Sequence, residues 1–218
     1  MQTVPDTELI QFDSWTLRIR KSTHPLPRLL LLIHGLTGDE NSMWVFARDL
    51  PAHYWIIAPR APYPVQPFGF SWQRNQINAE QSSFEQLAPN AQGLIGFVNA
   101  YQASAGIDAK TFDVVGFSQG GAMSSVLTIL YPNRIIKTGI LAGFVPTGIE
   151  TLTDSHPLKG KPFFVTHGTK DETIPIAHAR ASIKVLEAAG AQVTYCEDEV
   201  GHKVSLTCLR ALRGFLSH

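Results

Sequence analysis

Neither sign of charge prevails in this 218-residue chain: lysine plus arginine and aspartate plus glutamate number 18 each. Proteins that hold nucleic acid normally carry a basic excess, so no nucleic-acid partner is expected. Long apolar runs are missing too. The longest, residues 29–33, falls far short of the ~20 residues a membrane-spanning helix needs, so no membrane span is expected. Met1-Gln2-Thr3-Val4-Pro5 offers neither the basic start nor the apolar core of a signal peptide, and a cytoplasmic location is the expectation. Cysteine is scarce. Cys196 falls in an expected strand and Cys208 in an expected helix, and both read as reduced, mostly buried thiols. No two histidines have HExxH spacing, and two cysteines remote from any histidine pair form no zinc pattern, so no metal site is expected. The absence of GxGxxG and GxxxxGK[ST] removes the phosphate-cradling loops, and with them the usual nucleotide cofactors.

Apolar residues make up 44% of the chain, ample for a core. Without repeats or a linker, one domain spanning residues 1–218 is expected. Trp15–Arg20 alternates apolar and polar residues, the pattern of a half-exposed strand near a sheet edge. Residues 28–34 are almost all leucine and isoleucine, too short for a helix and apolar on both faces, as in a parallel strand covered by helices on each side. Further strands are expected at residues 55–58, 111–115, 135–141, 162–167 and 193–197. Helices are expected at 43–50, 89–103, 120–130, 175–189 and 203–216. Residues 59–72 form a long aromatic loop rich in proline, and residues 142–161 are irregular. Strands and helices alternate, which argues for an α/β fold with a mostly parallel central sheet and helices on both faces. Functional residues in such folds gather in loops at the carboxyl ends of strands.

One such junction carries Gly116-Phe117-Ser118-Gln119-Gly120-Gly121. Gly-x-Ser-x-Gly between strand and helix is the pattern of a nucleophile elbow, a sharp turn that exposes a serine hydroxyl. The turn strains the serine backbone, and small residues two places either side let strand and helix approach closely. A serine hydroxyl needs a base near neutral pH, and a histidine needs a carboxylate to fix its tautomer and stabilise the imidazolium that forms. Asp171 and His202 each follow an expected strand, in the order Ser, Asp, His, with room for a βα unit between them. Taken singly, Asp171 could cap a turn and His202 could be an ordinary loop histidine; it is their joint placement that points to a triad. The rival acids are Asp198, in the acidic turn 197–199, and Asp154, in the irregular segment. His167 reads as a core or supporting histidine and His178 as a helix-surface one. The oxyanion of the tetrahedral intermediate requires N–H donors, for which the positions are Gln119, directly after the nucleophile, and Leu36, in the loop after an earlier central strand.

Leu32-Ile33-His34-Gly35-Leu36, Arg60-Ala61-Pro62, Gly-Phe-Ser-Gln-Gly-Gly at 116–121, His167-Gly168-Thr169-Lys170-Asp171-Glu172 and Gly201-His202 together resemble the small carboxylesterases of the phospholipase/carboxylesterase family, relatives of the acyl-protein thioesterases. The likeness runs over about residues 28–215. It implies an α/β-hydrolase fold with a reduced lid, a cofactor-free serine hydrolase with Ser118, Asp171 and His202 as triad, oxyanion donors at Leu36 and Gln119, and a homodimer. Gln73-Arg74 stand where an acidic residue commonly follows in the family, and residues 37–41 differ from the thioesterase branch.

The expected reaction is hydrolysis of a small-molecule carboxylic ester, with short- to medium-chain acyl groups preferred, through an acyl-enzyme. Phe70, Trp72, Phe117, Phe144 and Val145, with Leu36, are the apolar residues expected to line the acyl site, although each could equally be ordinary core or loop packing. The alternatives are acyl-protein thioesters or lysophospholipids as substrate, a lactone or dienelactone hydrolase (against which a serine nucleophile argues), and a non-catalytic binding module, whose mark would be a broken triad.

Overall fold

Successive side chains of a strand point to opposite faces, and β3 (Arg28–Ile33) uses both. Leu29, Leu31 and Ile33 enter one core and Leu30 and Leu32 another, all of them buried. The computed structural model describes residues 6–74, 82–149 and 155–217. The strands are β1 (Glu8–Phe12), β2 (Trp15–Arg20), β3, β4 (Tyr54–Pro59), β5 (Tyr63–Pro64), β6 (Phe70–Ser71), β7 (Phe112–Phe117), β8 (Ile135–Leu141), β9 (Pro162–Gly168) and β10 (Gln192–Asp198). The helices are α1 (Trp44–Ala47), α2 (Phe84–Ala105), α3 (Gln119–Leu130), α4 (Ile176–Ala188) and α5 (Leu206–Ser217). Eight strands form one sheet in the order β1-β2-β4-β3-β7-β8-β9-β10, and β5 pairs with β6 apart from it. β1 and β2 run antiparallel to their neighbours, and the pairs from β4 through β10 are parallel. Helices α2, α3 and α4 pack on the face that receives Leu29, Val114, Ile140 and Val165. Helices α1 and α5 cover the opposite face, with Leu30, Val115, Leu141 and Phe164.

Several elements depart from the sequence reading, among them α1, which ends at Ala47 and not at residue 50. β1 adds an edge strand where none was expected, a hairpin partner for β2 in register Leu9↔Arg18. The 59–72 loop contains the small β5–β6 hairpin. Helix α2 begins at Phe84, not near Pro89, because Ser83 and Gln86 close a reciprocal capping box ahead of it. Pro89, in the second turn, removes one backbone donor and the helix runs through it. Helix α5 starts at Leu206, three residues later than expected, which leaves Lys203 and Val204 on the loop beside His202.

The cysteine reading is corrected. Cys196 of β10 and Cys208 of α5 form a disulfide, with Cα atoms 5.6 Å apart, so neither is a free thiol. Strand and helix were each legible from the sequence, but only their packing puts the two Cβ atoms within bonding reach. Among the described residues, no helix is long and apolar enough to cross a membrane.

Candidate active site

The sheet delivers four loops to one edge, after β3, β7, β9 and β10. Phe117↔Leu141 and Ile33↔Gly116 are among the last pairs of β7 with its neighbours, so Ser118 leaves the sheet at its centre. Its backbone has φ 55° and ψ −118°, a conformation L-residues rarely adopt, and it leads directly into α3. The flanking glycines are required by contact. A Cβ on Gly116 would overlap the carbonyl of Gly120, and one on Gly120 would overlap the carbonyl of Ile33. The far end of β7 is separate from this cluster. There the buried Asp113 carboxylate receives the Tyr54 hydroxyl at 2.7 Å and Arg28 Nη2 at 2.6 Å.

Asp171 follows β9, and its side chain is completely buried. Its Oδ1 accepts the backbone N–H groups of Thr173 and Ile174, each at 2.9 Å. His202 Nδ1 lies 2.7 Å from its Oδ2. A carboxylate can only accept, so Nδ1 carries the proton and Nε2 is left to act as a base. His167 Nε2 donates to the Ile174 carbonyl at 2.7 Å and lies 3.2 Å from Asp171 Oδ2, so its ring packs beside the same carboxylate. Burial pushes the His167 pKa down, which keeps that ring neutral. The rival acid Asp198 is not placed this way. The Asp198 carboxylate accepts the Glu199 N–H at 2.8 Å, and Asp154 lies outside the described residues. The ring of His178 meets Phe144 edge-on, with centroids 6.3 Å apart.

Ser118 and His202 open on a common cavity of about 550 Å³, within the roughly 300–1,000 Å³ usual for ligand sites. Leu36 and Phe117 line it as well. Phe70, Trp72, Phe144 and Val145, read from the sequence as acyl-site residues, do not line this cavity. Trp72 is wholly buried: its indole N–H donates to the His34 carbonyl and its backbone N–H to Gln119 Oε1. Phe144 is 3% exposed, and the Val145 N–H donates to Ser182 Oγ. Phe70 bridges to Gly38 and carries the Arg60 guanidinium 4.7 Å above its ring. In their place, the wall is built by Met43, Val45 and Phe46 of the α1 segment and by Lys203 and Val204 beside His202. Phe46 stacks on Phe117 with ring centroids 5.9 Å apart. The sequence signal for this wall was an apolar stretch directly after the 34–42 loop, which looks the same whether it fills core or cavity.

The loop bearing Leu36 is held from three sides. Thr37 N–H donates to the Phe70 carbonyl and Phe70 N–H to the Gly38 carbonyl, each at 3.0 Å. The Glu40 carboxylate, buried, takes a bidentate pair from Arg60 at 2.7 and 2.9 Å. His34, 1% exposed, accepts the Ala61 N–H on Nε2 and therefore donates from Nδ1 to the Gly35 carbonyl at 2.7 Å. Burial pushes its pKa down to about 4. Between that value and the ~6.5 of an unfolded histidine, the unfolded chain binds a proton that the folded chain refuses. Stability is therefore full above about pH 6.5 and is lost as pH falls toward 4, by about 3 kcal/mol in all for this group. A His34→Gln variant lacks this penalty. Urea unfolding at pH 7, 6 and 5 should show the stability gap between wild type and variant narrowing as pH falls, and a gap independent of pH would contradict this account.

A mostly parallel central sheet with the candidate residues on the loops beyond the strand ends, and a serine on a strained strand-to-helix turn, define an α/β-hydrolase fold. A family model described as Phospholipase/Carboxylesterase matches residues 16–218, and the chain belongs to that family. Esterase YpfH of Escherichia coli (strain K12) is 26% identical over 195 residues, covering 85% of this chain and 80% of its own. Acyl-protein thioesterase 1 of Kluyveromyces lactis is 26% identical over 185 residues, covering 78% and 81%. The crystal structure of a carboxylesterase from Mesorhizobium loti superimposes with a TM-score of 0.81 at 19% identity, over 97% of this chain and 99% of that one, which shows the shared fold. The protein is an enzyme, a hydrolase of the carboxylesterase type.

Proposed function

We propose that the enzyme hydrolyses carboxylic esters of short- to medium-chain acyl groups through an acyl-enzyme formed on Ser118. The observation that carries this reading is the 2.7 Å approach of His202 Nδ1 to the buried Asp171 carboxylate, with His202 and Ser118 facing one cavity. Ser118 Oγ attacks the ester carbonyl while His202 Nε2 takes its proton. The backbone N–H groups of Leu36 and Gln119 stabilise the oxyanion. His202 then protonates the departing alcohol. A water activated by the same nitrogen cleaves the acyl-serine, releasing the acid and restoring Ser118.

The acyl group lies, in this reading, between Phe46, Met43 and Val204, because these apolar side chains flank the cavity that Ser118 faces. Phe46 rests on Phe117 and closes part of that space. Each added methylene that finds apolar burial contributes about 0.8 kcal/mol. Phe46→Ala should therefore raise kcat/KM for p-nitrophenyl octanoate relative to the butyrate by at least about tenfold. An unmoved chain-length profile in the folded variant would take Phe46 out of the acyl site. Thioesters remain the second reading, favoured by the thioesterase relatives. The same series run on acyl thioesters separates the two.

A further inference from the structure

The Cys196–Cys208 bond closes a loop with His202 inside it, the two cysteines lying 12 residues apart. Among the described residues, β10 ends the sheet with β9 as its one neighbour. Beyond β10 the chain leaves regular structure until Leu206, so His202 reaches Asp171 from residues 199–205 with no strand or helix of its own. On the near side of His202 this loop is tied to the one carrying Asp171. Thr169 N–H donates to the Asp198 carbonyl at 2.9 Å and Lys170 N–H to the Val200 carbonyl at 3.0 Å. On the far side the chain turns through Ser205, which caps α5 by accepting the Cys208 and Leu209 N–H groups on its Oγ and carbonyl. The covalent bond then fastens that first turn of α5 back onto β10, so both ends of the histidine loop are fixed to one edge of the sheet.

We propose that the Cys196–Cys208 disulfide positions His202 against Asp171, and that hydrolysis consequently depends on the thiol redox state of the chain. The proposal rests on the Ser118–His202–Asp171 reading above. Neither cysteine lines the cavity around Ser118, so both act through His202. Cys196 is partly exposed and Cys208 1% exposed, which makes Cys196 the sulfur open to a soluble dithiol. A dithiol thiolate attacks Cys196 Sγ, and Cys208 leaves as a thiolate and takes a proton. The second thiol of the reductant then closes its own disulfide and releases Cys196. Two electrons and two protons reach the protein, and the dithiol is oxidised to a cyclic disulfide. Disulfides in reducing compartments are transient, so activity would follow the oxidation state of the surroundings.

The test uses the full chain purified without reductant, before and after dithiothreitol, with thiols counted by alkylation and mass spectrometry. The oxidised protein should carry no free thiol. Reduction should lower kcat on p-nitrophenyl butyrate by at least about tenfold, since misplacing a catalytic group by 1 Å costs on the order of 100-fold. Re-oxidation should restore it. Amide hydrogen exchange over residues 199–205 should accelerate on reduction while α2 and α3 stay protected. A Cys196→Ser/Cys208→Ser variant should sit at the reduced level and ignore dithiothreitol. If it does not fold, the wild-type comparison still decides. Two free thiols in the untreated protein, an unchanged kcat in the fully reduced enzyme, or unchanged exchange over 199–205 would each overturn the proposal. Should the oxidised protein hydrolyse no ester at all, the reading of the site fails, and the exchange measurement still judges the clamp.

Discussion

Replacing Ser118 by alanine is expected to lower kcat by a factor on the order of 10⁶ and to abolish labelling by a fluorophosphonate probe. The size follows from the proposed mechanism. Without Oγ no acyl-enzyme forms, and the remaining groups give only the small residual catalysis that a triad enzyme keeps when its nucleophile is removed. The fold should survive the change. The strain at φ 55° belongs to the backbone, so alanine inherits it and adds none. The Ser118 N–H still donates to the Leu141 carbonyl at 2.8 Å, and its carbonyl still accepts from Gly121 and Ala122. Thermal unfolding should therefore move by no more than a few degrees. Retained labelling in a folded Ser118→Ala protein would show that the probe reads some other nucleophile, and the proposed chemistry would fall with it.

What the sequence disclosed and what it withheld divide along a physical line. β3 was legible because a strand buried on both faces is apolar along nearly its whole length, and β7 because Val114 and Val115 keep that pattern even though the buried Asp113 interrupts it. The elbow was legible because close approach of Gly116 and Gly120 to neighbouring carbonyls forbids larger side chains, which writes the spacing into the chain. The cavity wall was not. In the 43–46 segment Met43 and Trp44 enter the core, while Val45 is 61% exposed and Phe46 meets Phe117. Four residues make little more than one helical turn, too short for a period to separate the faces. Trp72 misled for a related reason. An aromatic residue in a long loop suggests a ligand surface, but the His34 carbonyl satisfies its indole N–H and lets the whole ring be buried. The disulfide was illegible because it depends on β10 meeting α5, a tertiary fact carried by neither segment alone.

Exchanging Asp171 for asparagine is the more discriminating experiment, since it alters one atom and leaves the packing alone. The asparagine Oδ1 can still accept from Thr173 and Ile174, so the turn after β9 should hold its shape. The group facing His202 becomes an amide that, with Oδ1 kept in that turn, presents its NH₂. An NH₂ donates where the carboxylate accepted, so His202 must offer Nδ1 as acceptor and carry its proton on Nε2. That tautomer cannot take the Ser118 proton. A loss of about 10⁴ in kcat is expected, the scale seen when the acid of a Ser-His-Asp triad is replaced by its amide. Asp198→Asn supplies the contrast. Among the described residues its carboxylate receives a local turn bond from Glu199, and kcat should stay within about twofold. Steady-state kinetics on p-nitrophenyl butyrate, with circular dichroism to confirm that both variants fold, reads the two outcomes side by side. Full activity in Asp171→Asn together with loss in Asp198→Asn would move the acid to the β10 turn, and the His202 tautomer inferred from the 2.7 Å contact would have to be abandoned.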